Sequence, residues 1–323
     1  MAFFLINSRV GRPPWSGAYL AVWFIAIGEA YVGEVCCFND DIQGSGAAVL
    51  AGMLSAMSIS GARLRDQTFL ILGAGSAAIG IAQMLAEAMG LQGLSRTKAR
   101  ERVWLFNRNG LIESTRLDLT DYQKAYAHVH EGTSDFAAAV ESIRPTAIIG
   151  VSTAVKTFNQ RVIEAMARIN QRPIVFAPSN PTSCSECSAE EAYGWSGGRA
   201  VFASGSPFPA THYHGQPFEP GQCNNACIFP AIGLAVYATV AARVTDEMFL
   251  TAAHAIAERV GEADLGHGLV YPPQSALLDS EIHAACRVAE VIFARRLSRV
   301  PPPDDLRAFI EARVYNPRYE TAV

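Results

Sequence analysis

Short apolar runs alternate with longer stretches of helical periodicity along most of this chain. Each run is rich in aliphatic and aromatic residues, as buried strands of a parallel sheet are, and the last four stop at small polar residues. Strands that alternate with helices predict the α/β class. We therefore expect a doubly wound, Rossmann-type parallel sheet with additional C-terminal helices. The five runs are "FLIL" at 69–72, "RVWLFN" at 102–107, "TAIIGVST" at 146–153, "PIVFAPSN" at 173–180 and "AVFASGS" at 200–206.

The pattern changes after the last of these runs. Residues 223–295 have the apolar spacing of helices, and the proline-led stretch beyond them has room for one short helix. The sequence therefore predicts four parts: an atypical N-terminal segment at 1–36, a dinucleotide-binding Rossmann-type domain at 37–222, a helical segment at 223–295 and a tail at 296–323.

A glycine-rich turn joins the first predicted strand to a helix. The turn Gly73-Ala74-Gly75-Ser76-Ala77-Ala78 has the G-x-G-x-x-A spacing of a dinucleotide fingerprint. Gly73 permits the tight turn, Gly75 lets the backbone approach a pyrophosphate, and Ala78 allows close packing of helix on strand. The phosphates would lie at the helix N-terminus. Residues 73–77 are therefore predicted to bind a dinucleotide cofactor.

Small polar side chains stand where the later strands end. Ligands in open α/β sheets lie outside the carboxyl ends of the strands. Hydroxyls and amides there can orient a ligand without filling the crevice, although the same residues also favour ordinary turns. The residues in question are Asn107, Ser152, Thr153, Asn180, Ser204 and Ser206.

Composition narrows the class of protein. The 323 residues are 50% hydrophobic and carry a formal net charge of −4 with a pI near 6.0. No basic field is present that would attract nucleic acid. Seven scattered cysteines suggest a reducing, cytoplasmic compartment. The apolar run at 18–28 is too short to span a bilayer, so we expect no membrane partner.

Two adjacent carboxylates precede the glycine-rich turn. Asp40 and Asp41 lie in "FNDDIQGSG", between an aromatic residue and an apolar stretch. Neighbouring carboxylates repel each other and lose hydration when they are buried together. Their position therefore raises the question of what they hold.

The same stretch carries a family resemblance. Residues 37–310 resemble malic enzyme, the oxidative decarboxylase of malate, and the acidic run together with the paired asparagines is the most specific part. The motifs are "FNDDIQGSG" at 38–46, "FLILGAGSAAIGIA" at 69–82, "RPIVFAPSNPTS" at 172–183, "FASGSPF" at 202–208 and "PGQCNNACIFPAIGLAV" at 220–236.

The resemblance implies a function and a site. It implies oxidative decarboxylation of (S)-malate to pyruvate and CO₂ with reduction of NAD, or alternatively of NADP, and it implies a homo-oligomer. It makes Asp41 a ligand of Mg²⁺ or Mn²⁺ and places Asp40 beside it as a catalytic carboxylate. It assigns malate contacts to Asn180, Asn224 and Asn225, and cofactor contacts to residues 73–77, Asn107, Ser152 and Asn180.

The sequence also departs from the family pattern. The family's Tyr acid, Lys base, malate-binding Arg and Glu-Asp pair are not recognisable, so 1–36 is interpreted as the remnant of a missing catalytic domain in a truncated or misjoined chain. We expect incomplete activity from such a chain. Two alternatives stay open: a malolactic enzyme, which forms lactate, and a non-catalytic dinucleotide-binding or subunit-interaction protein. Asn107-Arg108 replaces the acid that would select NAD, which keeps NADP open.

Overall fold

The computed structural model describes residues 35–315. Segments 1–34 and 316–323 lie outside the described residues, and with them most of the expected N-terminal segment. The strands of the described part are β1 Phe69–Leu72, β2 Val103–Asn107, β3 Gly110–Leu111, β4 Ala147–Gly150, β5 Ile174–Ala177, β6 Val201–Ser204, β7 Thr211–Tyr213, β8 Gln216–Phe218 and β9 Gly221–Gln222.

Seven of these strands form one sheet in the order β3-β2-β1-β4-β5-β6-β9. All neighbours pair in parallel except β3, which runs antiparallel to β2 at the edge. The chain passes from β1 to β2 on one side and then returns to β4 on the other. The strand order therefore reverses between β1 and β4, as in a Rossmann sheet. The predicted doubly wound parallel sheet is confirmed, whereas edge strand β3 and the β7–β8 hairpin are additions that the sequence patterns did not predict.

Helices cover both faces of the sheet. Their bounds are α1 Ser45–Ser60, α2 Ser76–Leu91, α3 Arg96–Arg100, α4 Asp121–Lys124, α5 Phe136–Ile143, α6 Gln160–Ile169, α7 Ala189–Ser196, α8 Phe229–Thr239, α9 Asp246–Ala257, α10 Glu262–Gly266, α11 Leu277–Ala294 and α12 Leu306–Glu311. Capping boxes begin α4 at Thr120 and α7 at Ser188. In each, a hydroxyl and a side chain three residues later satisfy two free N–H groups.

Successive side chains along a strand point alternately into two separate hydrophobic cores. Along β1, Phe69 and Ile71 point to the core formed with α1, α2, α8, α9 and α11. Leu70 and Leu72 point to the opposite core, which α5, α6 and α7 cover. This is the two-residue alternation of a strand that is buried on both faces.

Helix α1 lies deep in the first core. With the turn that precedes it, the stretch Asp40–Ser60 is 21 residues long and contains an 18-residue window with a mean hydropathy of 1.4, which by length and composition would allow it to cross a membrane. However, 67% of that window is buried inside the structure. Burial among α2, α9 and the sheet explains its apolar character as that of a core helix.

The helices after residue 222 complete the same core. Helix α11 packs on α8 and α9, and α9 packs on α1. On α8, Ile232 and Val236 are buried, while the side chain of Tyr237 is exposed. Segment 223–295 thus shares its core with the sheet, and its packing toward a further domain stays a prediction.

Candidate functional site

The acidic pair lies in a single π-helical turn, Asp40–Gly44, through which the chain enters α1. The side chain of Asn39 caps this turn by accepting a hydrogen bond of 3.2 Å from the N–H of Ile42. The turn rests on α2 at Gly80, where a Cβ atom would overlap the carbonyl oxygen of Ile42. A glycine at this crossing lets the acidic turn lie against the helix that follows the glycine-rich loop.

Asp40 is half-buried and held by one amide. Its Oδ2 accepts a hydrogen bond of 2.5 Å from Nδ2 of Asn225, while its Oδ1 is buried with no hydrogen-bond partner in the described part of the chain. Burial, and to a lesser degree the charge of Asp41, raise the pKa of Asp40 to about 6. Burial also raises the pKa of Asp41. A cation beside the pair would offset both effects, because it favours the ionised carboxylates.

A cavity of about 350 Å³ opens between the starts of α1 and α2 and the ends of β4 and β5. It lies where the strand order reverses, which is the usual ligand site of an open α/β sheet. The cavity therefore joins an acid, several amides and the glycine-rich loop in one place. Its polar lining comprises Asp41, Ser45, Thr153, Ser179, Asn180, Asn224 and Asn225, and Ala77 of the loop adjoins them.

The remaining predicted cofactor residues lie outside these walls. Gly73 has φ 142°, in the left-handed region that favours glycine, and Gly75 is the N-cap of α2. The carbonyl oxygen of Ala74 accepts a hydrogen bond of 2.9 Å from Nε2 of Gln123 in α4. This hydrogen bond fixes the glycine-rich loop. Ser76 is the first residue of α2, and the N-terminus of α2 faces the crevice.

Asn107 ends β2 on the other side of the loop. Its Oδ1 accepts hydrogen bonds from Nη1 of Arg116 at 3.1 Å and from the N–H of Asn109 at 2.9 Å. Arg116 also forms an ion pair with Asp118, while Arg108 is exposed next to Asn107. This strand end therefore presents an amide and guanidinium groups at the position where an acid would select a free ribose 2′-hydroxyl.

The three predicted amides differ in their environment. Asn180 is exposed after β5 and lines the cavity. Asn224 accepts from the N–H of Ala226 at 2.9 Å and donates to the carbonyl oxygen of Gly205 at 3.2 Å, so backbone groups already engage it. Asn225 engages Asp40. Their contacts to a substrate stay predictions.

Sequence reasoning missed an acid behind the cavity wall. Glu186 is fully buried, and its Oε1 accepts a hydrogen bond of 2.6 Å from Oγ of Ser179. The N–H of Ser152 donates a hydrogen bond of 3.4 Å to the same oxygen. The sequence offered one signal, an acid between the small residues Ser185 and Cys187 just before a capping box. That signal does not reveal burial.

The described residues fit one side of a hard-cation site. Mg²⁺ and Mn²⁺ take oxygen ligands, and Mg²⁺ often uses one or two carboxylates with water completing its shell. Asp41, which lines the cavity, suits such an ion, whereas the Oδ1 of Asp40 is buried next to Gly44 without a hydrogen-bond partner in the described part of the chain. Within residues 35–315, however, no cluster of three or more His, Cys, Asp or Glu side chains could hold a metal.

General acid–base groups are sparse at the cavity. Among the described residues that line it, none is Lys, Tyr or Arg. The three lysines of the chain form ion pairs with acids on exposed segments: Lys98 with Glu101, Lys124 with Asp121 and Lys156 with Glu191. The cavity thus offers hydroxyls and amides that can orient a polar ligand, with Asp41 and Cys223 as its titratable lining side chains.

Two curated relatives are similar to this sequence. The chain is 46% identical over 294 residues to the chloroplastic NADP-dependent malic enzyme of Flaveria pringlei, which covers 90% of this chain and 45% of the relative. It is 41% identical over 292 residues to the NADP-dependent malic enzyme of Rattus norvegicus, covering 90% and 51%. The chain therefore spans about half the length of the curated relatives it matches.

Solved structures share the fold. The malic enzyme from Pyrococcus horikoshii Ot3 superposes with a TM-score of 0.71 at 23% identity, covering 90% of this chain and 63% of that one. The Entamoeba histolytica malic enzyme gives 0.69 at 21% identity, covering 86% and 54%. A family model described as "Malic enzyme, NAD binding domain" matches residues 42–293. The chain belongs to the malic enzyme family, and residues 42–293 are the part that matches this family model.

Proposed function

We propose that this chain serves the oxidative decarboxylation of (S)-malate to pyruvate and CO₂, with reduction of a nicotinamide dinucleotide and with Mg²⁺ or Mn²⁺. The observation that carries the proposal is the cavity, in which Asp41, Asn180 and Asn225 adjoin Ala77 of the glycine-rich loop. Residues predicted to contact malate or the metal, and a residue predicted to contact the dinucleotide, thus line one cavity of about 350 Å³. Relatives that are named malic enzymes support the same reaction.

The chain's own residues supply binding and proton handling. Asp41 faces the cavity and would hold the cation, with Asp40 beside it. A nicotinamide dinucleotide held by the glycine-rich loop would supply an acceptor for the C2 hydride of malate, and a cation held by Asp41 would supply Lewis-acid polarisation of the substrate oxygens. Without the cation, burial raises the pKa of Asp40 to about 6; a cation held by Asp41 would lower that pKa, so that Asp40, with one oxygen fixed by Asn225, would act as an ionised proton acceptor. Asn180, which lines the cavity, would donate a hydrogen bond to a carboxylate of the substrate.

For the cofactor we propose NADP over the NAD that the family resemblance implies. The end of β2 carries Asn107 in place of an acid, and the exposed Arg108 follows it. A guanidinium can bind the 2′-phosphate that an acid would repel. Several relatives are named NADP-dependent, which supports this choice. The Arg108→Glu variant should raise the Kd of NADP⁺ relative to that of NAD⁺, whereas equal Kd values in the unmodified chain would contradict the proposal.

The first experiment is malate-dependent reduction of NADP⁺ and NAD⁺ by the purified 323-residue chain with Mn²⁺, with dinucleotide binding followed by thermal shift. Turnover that Asp41→Asn abolishes, and that the exposed control Asp121→Asn leaves unchanged, supports the proposal. Lactate in place of pyruvate would indicate the malolactic reaction instead.

A second candidate function follows from the cavity lining. Since none of the described lining residues is Lys, Tyr or Arg, the chain has few side chains there that could act as acid and base. Dinucleotide binding without turnover would favour a non-catalytic dinucleotide-binding protein or a subunit that needs a partner to complete its site. Failure to bind either dinucleotide would exclude both proposals.

A further inference from the structure

Glu186 is a buried acid that the proposed reaction does not use. It lies between β5 and α7, and its side chain has no solvent exposure. Oε1 accepts hydrogen bonds from Oγ of Ser179 at 2.6 Å and from the N–H of Ser152 at 3.4 Å. The first residue follows β5 and the second follows β4, so a single carboxylate links the loops at the ends of two neighbouring strands.

The link continues to the cavity wall. Oγ of Ser179, which donates to Glu186, accepts a hydrogen bond of 3.1 Å from the N–H of Thr153. Thr153 has φ 56°, a left-handed backbone that a β-branched residue rarely adopts. Such a conformation persists where surrounding bonds hold it, and it is common at ligand sites. Thr153 and Ser179 both line the cavity beside Asn180.

The carboxylate of Glu186 is also packed closely against the end of β4. A Cβ atom at Gly150, the last residue of β4, would overlap the carboxylate of Glu186. Within the described residues, Oε2 is buried without a hydrogen-bond partner. A buried carboxylate with one unpaired oxygen costs free energy. The burial of Glu186 is therefore explained by the groups that its other oxygen, Oε1, holds.

The position of the link indicates which part of a dinucleotide it serves. In a Rossmann sheet the glycine-rich turn and the end of the second strand bind the pyrophosphate and the adenosine ribose. Those features lie at β1 and β2 here. The linked loops follow β4 and β5, across the point where the strand order reverses, and this is the half of the crevice that remains for the nicotinamide.

We propose that Glu186 is a positioning residue for the nicotinamide half of the cofactor, acting through Ser179 on the backbone of Thr153. This inference rests on the proposed function, since it assumes that the crevice binds a nicotinamide dinucleotide. Glu186 itself lies behind the wall and does not line the cavity.

The test measures the Kd values of two probes for the full chain. NADP⁺ occupies both halves of the crevice, whereas 2′,5′-ADP occupies the adenosine half. Glu186→Met and Ser179→Ala each break the link and should raise the Kd of NADP⁺ about tenfold, while that of 2′,5′-ADP changes by less than about twofold. Glu186→Gln keeps an acceptor oxygen and should stay within about threefold of wild type for both probes. The exposed Glu190→Gln, four residues along, is the matched control.

Each other outcome decides against the inference. Unchanged NADP⁺ affinity in Ser179→Ala and Glu186→Met overturns it. Equal loss of both probes also overturns it, because that result indicates general structural damage. If Glu186→Met does not fold, Ser179→Ala and Glu186→Gln still give opposite expectations. A wild-type chain that binds neither probe removes the proposed function and this inference together, whereas normal wild-type binding with unaffected variants removes the inference and leaves the function standing.

Discussion

Nδ2 of Asn225 donates a hydrogen bond of 2.5 Å to Oδ2 of Asp40, although 185 residues separate the two along the chain. The bond joins the turn before α8 to the turn before α1. It therefore fastens the helical segment that follows the sheet to the acidic pair at the cavity. A second bond of the same kind, 2.8 Å from Nε2 of Gln43 to Oδ1 of Asp246, joins the same acidic turn to α9.

Removal of this amide should destabilise the protein in a pH-dependent way. In Asn225→Ala the ionised Asp40 loses its donor, and a hydrogen bond to a charged group is worth about 1.5–3 kcal/mol. Because the pKa of Asp40 is about 6, the loss should be full at pH 8 and smaller at pH 5, where the carboxyl is largely protonated. Denaturant unfolding at both pH values measures it.

The matched control is Asn109→Ala. Asn109 donates to the carboxylate of Asp118 at 3.0 Å, but that pair is exposed. Solvent screening should hold its cost below about 1 kcal/mol at either pH. Equal losses for the two variants, or a loss for Asn225→Ala that is independent of pH, would show that Asp40 does not depend on Asn225.

Two glycines of α2 should respond in opposite directions to the same substitution. A Cβ at Gly80 would overlap the carbonyl oxygen of Ile42, so Gly80→Ala should push the acidic turn away and cost about 1–3 kcal/mol. At Gly90 a Cβ would meet no described atom within 4 Å, so Gly90→Ala should stabilise the helix by about 0.5–1 kcal/mol. Thermal unfolding of the two variants measures both effects. Similar shifts would contradict the close contact of α2 with the acidic turn.

The sequence predicted those parts of the fold that local pattern controls. The apolar run at 69–72 is β1, residue for residue. Strand–helix alternation was enough to give the parallel sheet, because parallel neighbours need a crossover between them. Strand β3 escaped prediction because two residues carry no periodicity, and its pairing with β2 depends on a turn.

The candidate site was less accessible to sequence reasoning. The family resemblance assigned roles to Asp41, Asn180 and Asn225, and all three line one cavity. Glu186 could not be found in this way, because its burial comes from the packing of β4 against the segment before α7. Arg116 likewise reaches Asn107 across a turn of nine residues. Such contacts are set by tertiary packing, which a residue's sequence neighbours do not report.

Glu281 should make the protein less stable as the pH rises. It is half-buried in α11, and burial raises its pKa from 4.5 to about 7. The unfolded chain titrates near 4.5, so the native state is favoured while the group is protonated, and this contribution is lost between about pH 4.5 and 7. Glu281→Gln should therefore match wild type near pH 4 and exceed its stability at pH 8. We expect a gain of roughly 1 kcal/mol or less, because water still reaches the group.

The control for this prediction lies on the same helix. Glu290 is exposed and pairs with Arg287, so Glu290→Gln should change the stability by less than about 0.5 kcal/mol across the same pH range. Unfolding free energies from urea titrations between pH 4 and 8 provide the comparison. A gain for Glu281→Gln that is equally large at pH 4 would mean that the effect does not come from titration.

The left-handed backbone of Thr153 should lower the stability of the protein when the hydrogen-bond partner of its N–H is removed. Ser179→Ala takes away the hydroxyl that accepts from the N–H of Thr153, while φ 56° still costs a threonine on the order of 1 kcal/mol or more. Glycine adopts this conformation without that cost. Thr153→Gly should therefore recover more stability in the Ser179→Ala background than it adds to wild type. A double-mutant cycle of unfolding free energies should show a coupling of about 0.5–2 kcal/mol.

Lys156→Gly is the corresponding control for this cycle. Lys156 lies in the same loop with φ 60°, but its N–H bonds to the carbonyl oxygen of Ser185 at 3.4 Å rather than to Ser179. Its substitution should be additive with Ser179→Ala to within about 0.5 kcal/mol. Coupling of the same size at Lys156 and Thr153 would mean that the whole loop loosens when Ser179 is changed. Coupling confined to Thr153 would show that Ser179, itself held by Glu186, fixes the strained residue at the cavity wall.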